Sequence, residues 1–338
     1  MRLVTGLCLL AAAFGAAGDQ KNIKETKKAV LARPAGGIRT PGVQIPFASL
    51  VNELAYETEA PAAWVGVADS VWIPANGSLL RVDPKAKAAK FGEPIAGLKS
   101  PCSGVVSAFT SVWIGNCGDG SIVRAEAKSG KITATLPVGA RPVRSGMAAT
   151  ADSVWVFTDA RGTVSRIDPV QNTVVAEFRV FPDCNSLTFG ETALWLTCPA
   201  ENKVIRVDPA TNLIDKTIDV SERPVALTIG EASVWVLCEK DGKIDRIDPK
   251  TNKVTKTIEL GAPATAGAIS IGEGSLWVSM SNFPLTRIDP AAEKVVQQFW
   301  GEGAGVVQAA LGSVWLAEAQ GARVRKFDPK RIAATLAE

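Results

Sequence analysis

From about residue 60 to residue 330, short apolar and β-branched runs alternate with polar stretches rich in Gly, Asp, Asn and Pro. One unit shows the pattern in full. Val225-Ala226-Leu227-Thr228-Ile229 leads through Gly230-Glu231 into Ser233-Val234-Trp235-Val236-Leu237. Glu239-Lys240-Asp241-Gly242 then precedes Lys243-Ile244-Asp245-Arg246-Ile247. Asp248-Pro249-Lys250-Thr251-Asn252 precedes Lys253-Val254-Thr255-Lys256-Thr257-Ile258. Runs of this length, alternating with period two in the last pair, predict four strands per unit. The turn residues have separate causes: Asp accepts from its own turn, Pro presets φ, and Asn tolerates the left-handed residue that closes it. No stretch after residue 40 sustains a helical period.

The unit recurs. Trp72, Trp113, Trp155, Trp195, Trp235, Trp277 and Trp315 are spaced by 41, 42, 40, 40, 42 and 38 residues. An Arg-Val-Asp-Pro or Arg-Ile-Asp-Pro phrase follows 11 to 13 residues later at Asp83, Asp168, Asp208, Asp248 and Asp289, with Lys-Phe-Asp-Pro at Asp328. The second repeat carries Glu126-Ala127 in that register. A period near 40 residues made of strands and turns marks a repeat architecture. Seven copies that must bury their own edges predict a closed all-β ring, a seven-bladed β-propeller of four-stranded antiparallel blades. The repeated Trp reads as inter-blade core, and the Arg/Asp phrase as scaffolding. Leu54–Thr58 is a candidate fourth strand for blade 7 that would lock the ring. Ile332–Leu336 competes for the same slot.

Composition adds boundaries. Arg2 followed by an apolar stretch ending at Ala16-Ala17-Gly18 reads as a signal peptide over residues 1–18, too short and Ala/Gly-rich for a membrane span. Residues 19–50 read as a Lys-rich linker and N-terminal extension, and 51–338 as the propeller. This assigns the protein to an exported compartment, periplasmic or secreted, with no transmembrane anchor after cleavage, and as a monomer. The formal charge of +3, about +2 without the leader's Arg2, is no footprint for nucleic acid.

The five cysteines outside the leader carry more information. Cys102 and Cys184 each lie 11 residues before their repeat's Trp; Cys117 and Cys198 lie four and three after theirs. The first position opens strand one and the second closes strand two, and antiparallel neighbours bring them together. Cys102–Cys117 and Cys184–Cys198 are therefore expected disulfides in an exported chain. Cys238 occupies the Cys198 position one blade later and is left over. The chain contains no histidine. That removes Ser-His-Asp and Cys-His nucleophile systems, His-ligated metals and c-type haem. Gly301-Glu302-Gly303-Ala304-Gly305 sits between strands and is not read as a nucleotide loop.

The Ser-Val-Trp-Val and Arg-Ile-Asp-Pro-x-Thr-Asn phrases resemble those of the streptogramin (virginiamycin B) lyase-like and YVTN-type bacterial propellers, over roughly residues 60–330. The resemblance implies the fold. Streptogramin lyases open a lactone ring by elimination, with a metal held by His and Glu and a His as base. The sequence holds no histidine onto which those roles could be carried.

In a four-stranded blade, the start of strand one and the end of strand two emerge on one face, where the seven copies differ. That variable face is expected to gather Trp64, Asp119, Arg141, Arg144, Asn185, Arg223, Glu239 and Glu318, with all five cysteines. Trp64, placed in the first strand of repeat 1, is a candidate stacking platform at the channel mouth, with packing as the alternative. The function read from these features is an exported binding propeller, taking a small-molecule or protein ligand on that face. Two alternatives stay open. One is a metal-dependent lyase or hydrolase using carboxylates such as Asp119, Glu239 and Glu318, with a divalent metal as cofactor. The other is a redox-associated propeller subunit.

Overall fold

A computed structural model describes residues 32–67, 69–143 and 146–336. The propeller unit spans Arg33–Glu338. Seven antiparallel sheets follow one another along the chain. Their first strands are Gly66–Val67, Pro101–Ala108, Met147–Ala149, Ser186–Gly190, Pro224–Gly230, Ala268–Gly272 and Gly305–Ala310. These first strands contact one another in sequence, and the last returns to the first, which closes the ring. The expected seven blades are thus observed. The strands of blade 5 (Pro224–Gly230, Ser233–Cys238, Lys243–Asp248 and Lys253–Glu259) match the sequence-predicted ones to within a residue or two.

The repeated phrases form a latch between blades. All seven repeat tryptophans are at most 2% exposed. Each lies directly across from the basic residue of the third strand, as Trp235 does from Arg246. In blades 1 to 5 the guanidinium carbon sits 4.9–5.6 Å from the indole centroid. That is cation–π range, worth about 0.5–2 kcal/mol. The Arg Nε donates to the Ser two residues before the Trp in five blades: Ser70, Ser111, Ser153, Ser233 and Ser275, at 2.7–3.0 Å. The far end of the guanidinium crosses to the next blade's turn. Arg124 reaches Asn172 Oδ1 at 2.9 Å, Arg206 reaches Asn252 Oδ1 at 3.2 Å and Arg246 reaches Glu293 Oε1 at 2.6 Å. Blade 4 breaks the pattern. Ala193 stands in the Ser position, and Arg206 Nε is buried without an acceptor.

The Asp-Pro turns behave as their residues dictate. Asp208, Asp248 and Asp289 each accept the backbone N–H two residues on, at 2.8–2.9 Å. Asn212 and Asn252 close the first two with φ 61° and 56°, and Glu293 stands in the same position of the third with φ 52°. The second blade, lacking Asp-Pro, closes instead with Gly130 at φ 71°, whose N–H meets Glu126 O at 2.9 Å.

The ring is closed by the N-terminal candidate. Leu54–Glu57 pairs antiparallel with Arg323–Phe327 as the fourth strand of blade 7, and Tyr56 packs on Trp315. The competing segment is a short helix, Pro329–Ala334, a small exception to the strand-only expectation. Asp328 caps it, Pro329 opens it, and Ile332 is fully buried. Gln297 of blade 6 holds it by donating to Ile332 O and Thr335 O.

Gln44–Pro46, within the expected N-terminal extension, adds a fifth, parallel strand beside Lys294–Trp300 of blade 6. The pair Gln44 and Gln298 is buried there, and Gln298 also accepts from Ile38 N–H and donates to Leu260 O. Trp64 requires a correction in placement. The first strand of blade 1 is only Gly66–Val67, so Trp64 precedes it. Its ring is 6% exposed, in a cluster with Trp72, Leu98, Val112 and Ile114 between blades 1 and 2.

Candidate functional site: a polar cavity between blades 4 and 5

Both expected disulfides are present on the variable face, Cys102–Cys117 and Cys184–Cys198, with Cα separations of 5.8 and 3.9 Å. The second ties the entry of blade 4's first strand to the end of its second strand. It thereby fixes the residues on either side of it, Asp183 and Asn185 in one segment and Pro199 in the other. These form one wall of a cavity of about 510 Å³. The opposite wall is the entry into blade 5, Glu222, Arg223 and Val225, with Lys240 beyond it.

The wall residues are fixed by hydrogen bonds to neighbouring loops. Thr197 Oγ1 donates to Asn185 Oδ1 at 3.1 Å. Asp183 accepts from Ala200 N–H. Asn202 Oδ1 accepts from the Arg223 N–H at 2.8 Å, and Arg223 O accepts from the Glu239 N–H at 2.8 Å. Arg223 takes φ 59°, a left-handed conformation that costs a side-chain-bearing residue roughly 1–2 kcal/mol. The bonds to Asn202 and Glu239 hold it there. Its Nε also pairs with Glu239 Oε2 at 2.7 Å. The other oxygen of Glu239 accepts from the N–H of Ala266, which is left-handed as well, at 2.9 Å. One carboxylate therefore clamps the entries of blades 5 and 6. Lys240 pairs with Glu222, whose hydrogen bond raises the lysine's pKa.

The candidate residues separate into groups. Asn185 and Arg223 line this cavity, and Glu239 is joined to it through its ion pair with Arg223. Arg141 lies in blade 3, 5.9 Å from the Phe157 ring centroid, and donates across to Pro182 O at 3.5 Å. Arg144 lies outside the described residues. Asp119 is built into a local turn, accepting from the Asn116 amide, Ser121 N–H and Ser121 Oγ. The hydrogen bond from Ser121, chiefly, holds its carboxyl below the ordinary range. Glu318 is buried in blade 7, with Arg325 Nε 2.5 Å away and Arg323 Nε 3.9 Å away. Asn202, Glu222 and Lys240 were not legible as site residues. Each sits in a turn whose local sequence matches ordinary scaffolding, and only the cavity joins them.

A metal centre of the His/Glu kind does not fit these residues. Histidine is absent, and among the described residues no three Cys, Asp or Glu side chains converge. Asp119 is committed to its turn, Glu239 to its clamp and Glu318 to two arginines. A base for neutral pH needs a pKa near 7, and Asp119 is pushed the other way.

The chain matches no protein-family model and no curated protein. Among solved structures it is similar to a streptogramin B lyase at 16% identity and a TM-score of 0.67, covering 80% of this chain and 95% of that one. The chain has the streptogramin lyase fold. Virginiamycin B lyase from Staphylococcus aureus gives the same TM-score of 0.67, at 17% identity over 80% of this chain and 97% of that one. A catalytically inactive histidine-to-alanine variant of that enzyme, in a structure with quinupristin, is 18% identical, with TM-score 0.67 and coverage of 80% and 98%. At these identities the likeness of this streptogramin lyase-like propeller is one of fold.

Proposed function

We propose that this protein is an exported binding propeller whose ligand sits on the variable face, in the cavity between blades 4 and 5. The observation that carries the reading is the cavity's construction. A disulfide, a left-handed arginine and a carboxylate clamp fix polar side chains around about 510 Å³ of open volume. Loops on a rigid scaffold are the usual seat of binding. The same side chains supply no catalytic set. Loss of a histidine inactivates the Staphylococcus aureus enzyme, and this chain has none. Two disulfides support an oxidising compartment. Among the described residues no helix is long and apolar enough to cross a membrane.

The test is to incubate purified protein with a type B streptogramin and Mg²⁺. No linearised product is expected. Turnover that is abolished by chelator and by Glu239→Gln or Glu318→Gln overturns the binding reading and establishes a carboxylate-only lyase.

A further inference from the structure

The repeat supplies an internal standard for what a structural arginine looks like here. Arg124 uses every nitrogen: Nε on Ser111, Nη1 on Pro169 O and Asn172, and Nη2 on Phe109 O. Arg223 differs. Its Nε is taken by Glu239, and among the described residues neither Nη has a hydrogen-bond acceptor. Its side chain is 64% exposed while its carboxylate partner is only 17% exposed. The backbone around it is pinned on both sides and held in a left-handed conformation. Asn185, on the facing wall, has a matching excess. Thr197 occupies its carbonyl oxygen, which orients the amide, and its NH₂ has no acceptor among the described residues.

We propose that the cavity binds a ligand through a free monoanionic carboxylate, received by the two Nη groups of Arg223 and by the Asn185 amide. This rests on the reading of the cavity as the binding site. A planar guanidinium fork matches a carboxylate in a paired geometry. Glu239, in ion-pair contact with Nε at 2.7 Å, leaves the two Nη groups as the free end of that fork. The surrounding acids set the charge limit. Asp183 and Glu222 line the same cavity, so a dianion such as a phosphate monoester meets repulsion. A monocarboxylate whose remainder donates hydrogen bonds to Asp183 meets complementary groups. Two sources present this chemistry: a small organic acid and the C-terminus of a peptide.

The experiment is calorimetric titration of the full chain with three probes: N-acetyl-trialanine with a free C-terminus, its C-terminal amide, and lactate. At least one free-carboxylate probe is expected to bind, with the amide at least about tenfold weaker, the loss of one charge-assisted interaction. Arg223→Gln should reduce the acid to the level of the amide. Arg223→Lys should recover part of the affinity, and Lys216→Gln on the outer edge should change nothing. Thermal melts of each variant verify the fold. If Arg223→Gln fails to fold, Asn185→Ala carries the test and should weaken the acid but not the amide. Lactate binding alone assigns a small acid; peptide binding alone assigns a chain terminus. Equal binding of acid and amide, binding indifferent to both Arg223 and Asn185, or no binding of any probe overturns the carboxylate assignment. Lyase turnover, measured separately, is what would remove the underlying binding reading.

Discussion

The break in the latch at blade 4 makes a sharp prediction. Five blades carry a Ser whose Oγ accepts from the Arg Nε at 2.7–3.0 Å. Blade 4 carries Ala193, and Arg206 Nε is buried without an acceptor. The strand register is unchanged, since Trp195 still opposes Arg206 as Trp235 opposes Arg246. Ala193→Ser therefore places a hydroxyl where the other blades have one. A hydrogen bond to a charged donor is worth about 1.5–3 kcal/mol. Subtracting the cost of desolvating the hydroxyl and fixing its rotamer leaves a net gain of roughly 1 kcal/mol. For a domain of this size that raises Tm by about 2–4 °C. The mirror-image change, Ser233→Ala, orphans Arg246 Nε and should cost about 1–3 kcal/mol. Tryptophan fluorescence during urea and thermal unfolding measures both. A neutral or destabilising Ala193→Ser, beside a costly Ser233→Ala, would refute the account of the latch.

Redox chemistry should distinguish the cysteines. Cys184 and Cys198 are fully buried, whereas Cys102 and Cys117 are half-buried. A mild dithiol is expected to open Cys102–Cys117 first, as peptide mapping after alkylation would show; simultaneous opening counts against it. Each bridge closes a short loop, worth about 3 kcal/mol by chain entropy. Cys238 is buried, and burial above all, with Asp245 beside it, pushes its thiol pKa far up. It should resist iodoacetamide until the protein is unfolded, and labelling in the native state would contradict this. Acid should loosen the Asp-Pro turns. Backbone N–H groups hold the carboxyls of Asp208, Asp248 and Asp289 below their ordinary pKa. Their contribution is present above about pH 4 and fades as pH falls through the lowered folded values. Asp248→Asn should flatten the acid limb of a Tm–pH profile, and an unchanged limb would remove these turns as its cause.

The fold was legible because each blade repeats its own solution. The Trp and the Arg face each other across the second and third strands, so their spacing carries three-dimensional information. Ring closure was ambiguous in sequence for a definable reason. Asp328-Pro329 looks like every other Asp-Pro turn, but Asp-Pro is also a helix start, and burial of Ile332 selects the helix. The site was only partly legible. Loop position picked out Asn185, Arg223 and Glu239, which the structure brings together. The same criterion picked out Glu318, buried against arginines, and Trp64, buried between blades. Loop position reports which face a residue lies on, but its partners come from elements distant in sequence. Asn202 and Ala266, both needed to fix the Arg223–Glu239 clamp, come from neighbouring blades.

The strand that closes the ring has a temporal consequence. Leu54–Glu57 pairs with Arg323–Phe327, so this strand waits for a partner that is synthesised long after it. The four blade strands of each of blades 1 to 6 come from contiguous chain and can form as they emerge, but those of blade 7 cannot. Until then Leu54–Glu57 has an unpaired edge, and the inner strands of blades 1 and 7 each lack one of their two neighbours in the ring. Such long-range pairing is slow and leaves exposed edges. The ring therefore closes only once Arg323–Phe327 is available. A chain cut short before Arg323 would have six formed blades and no ring.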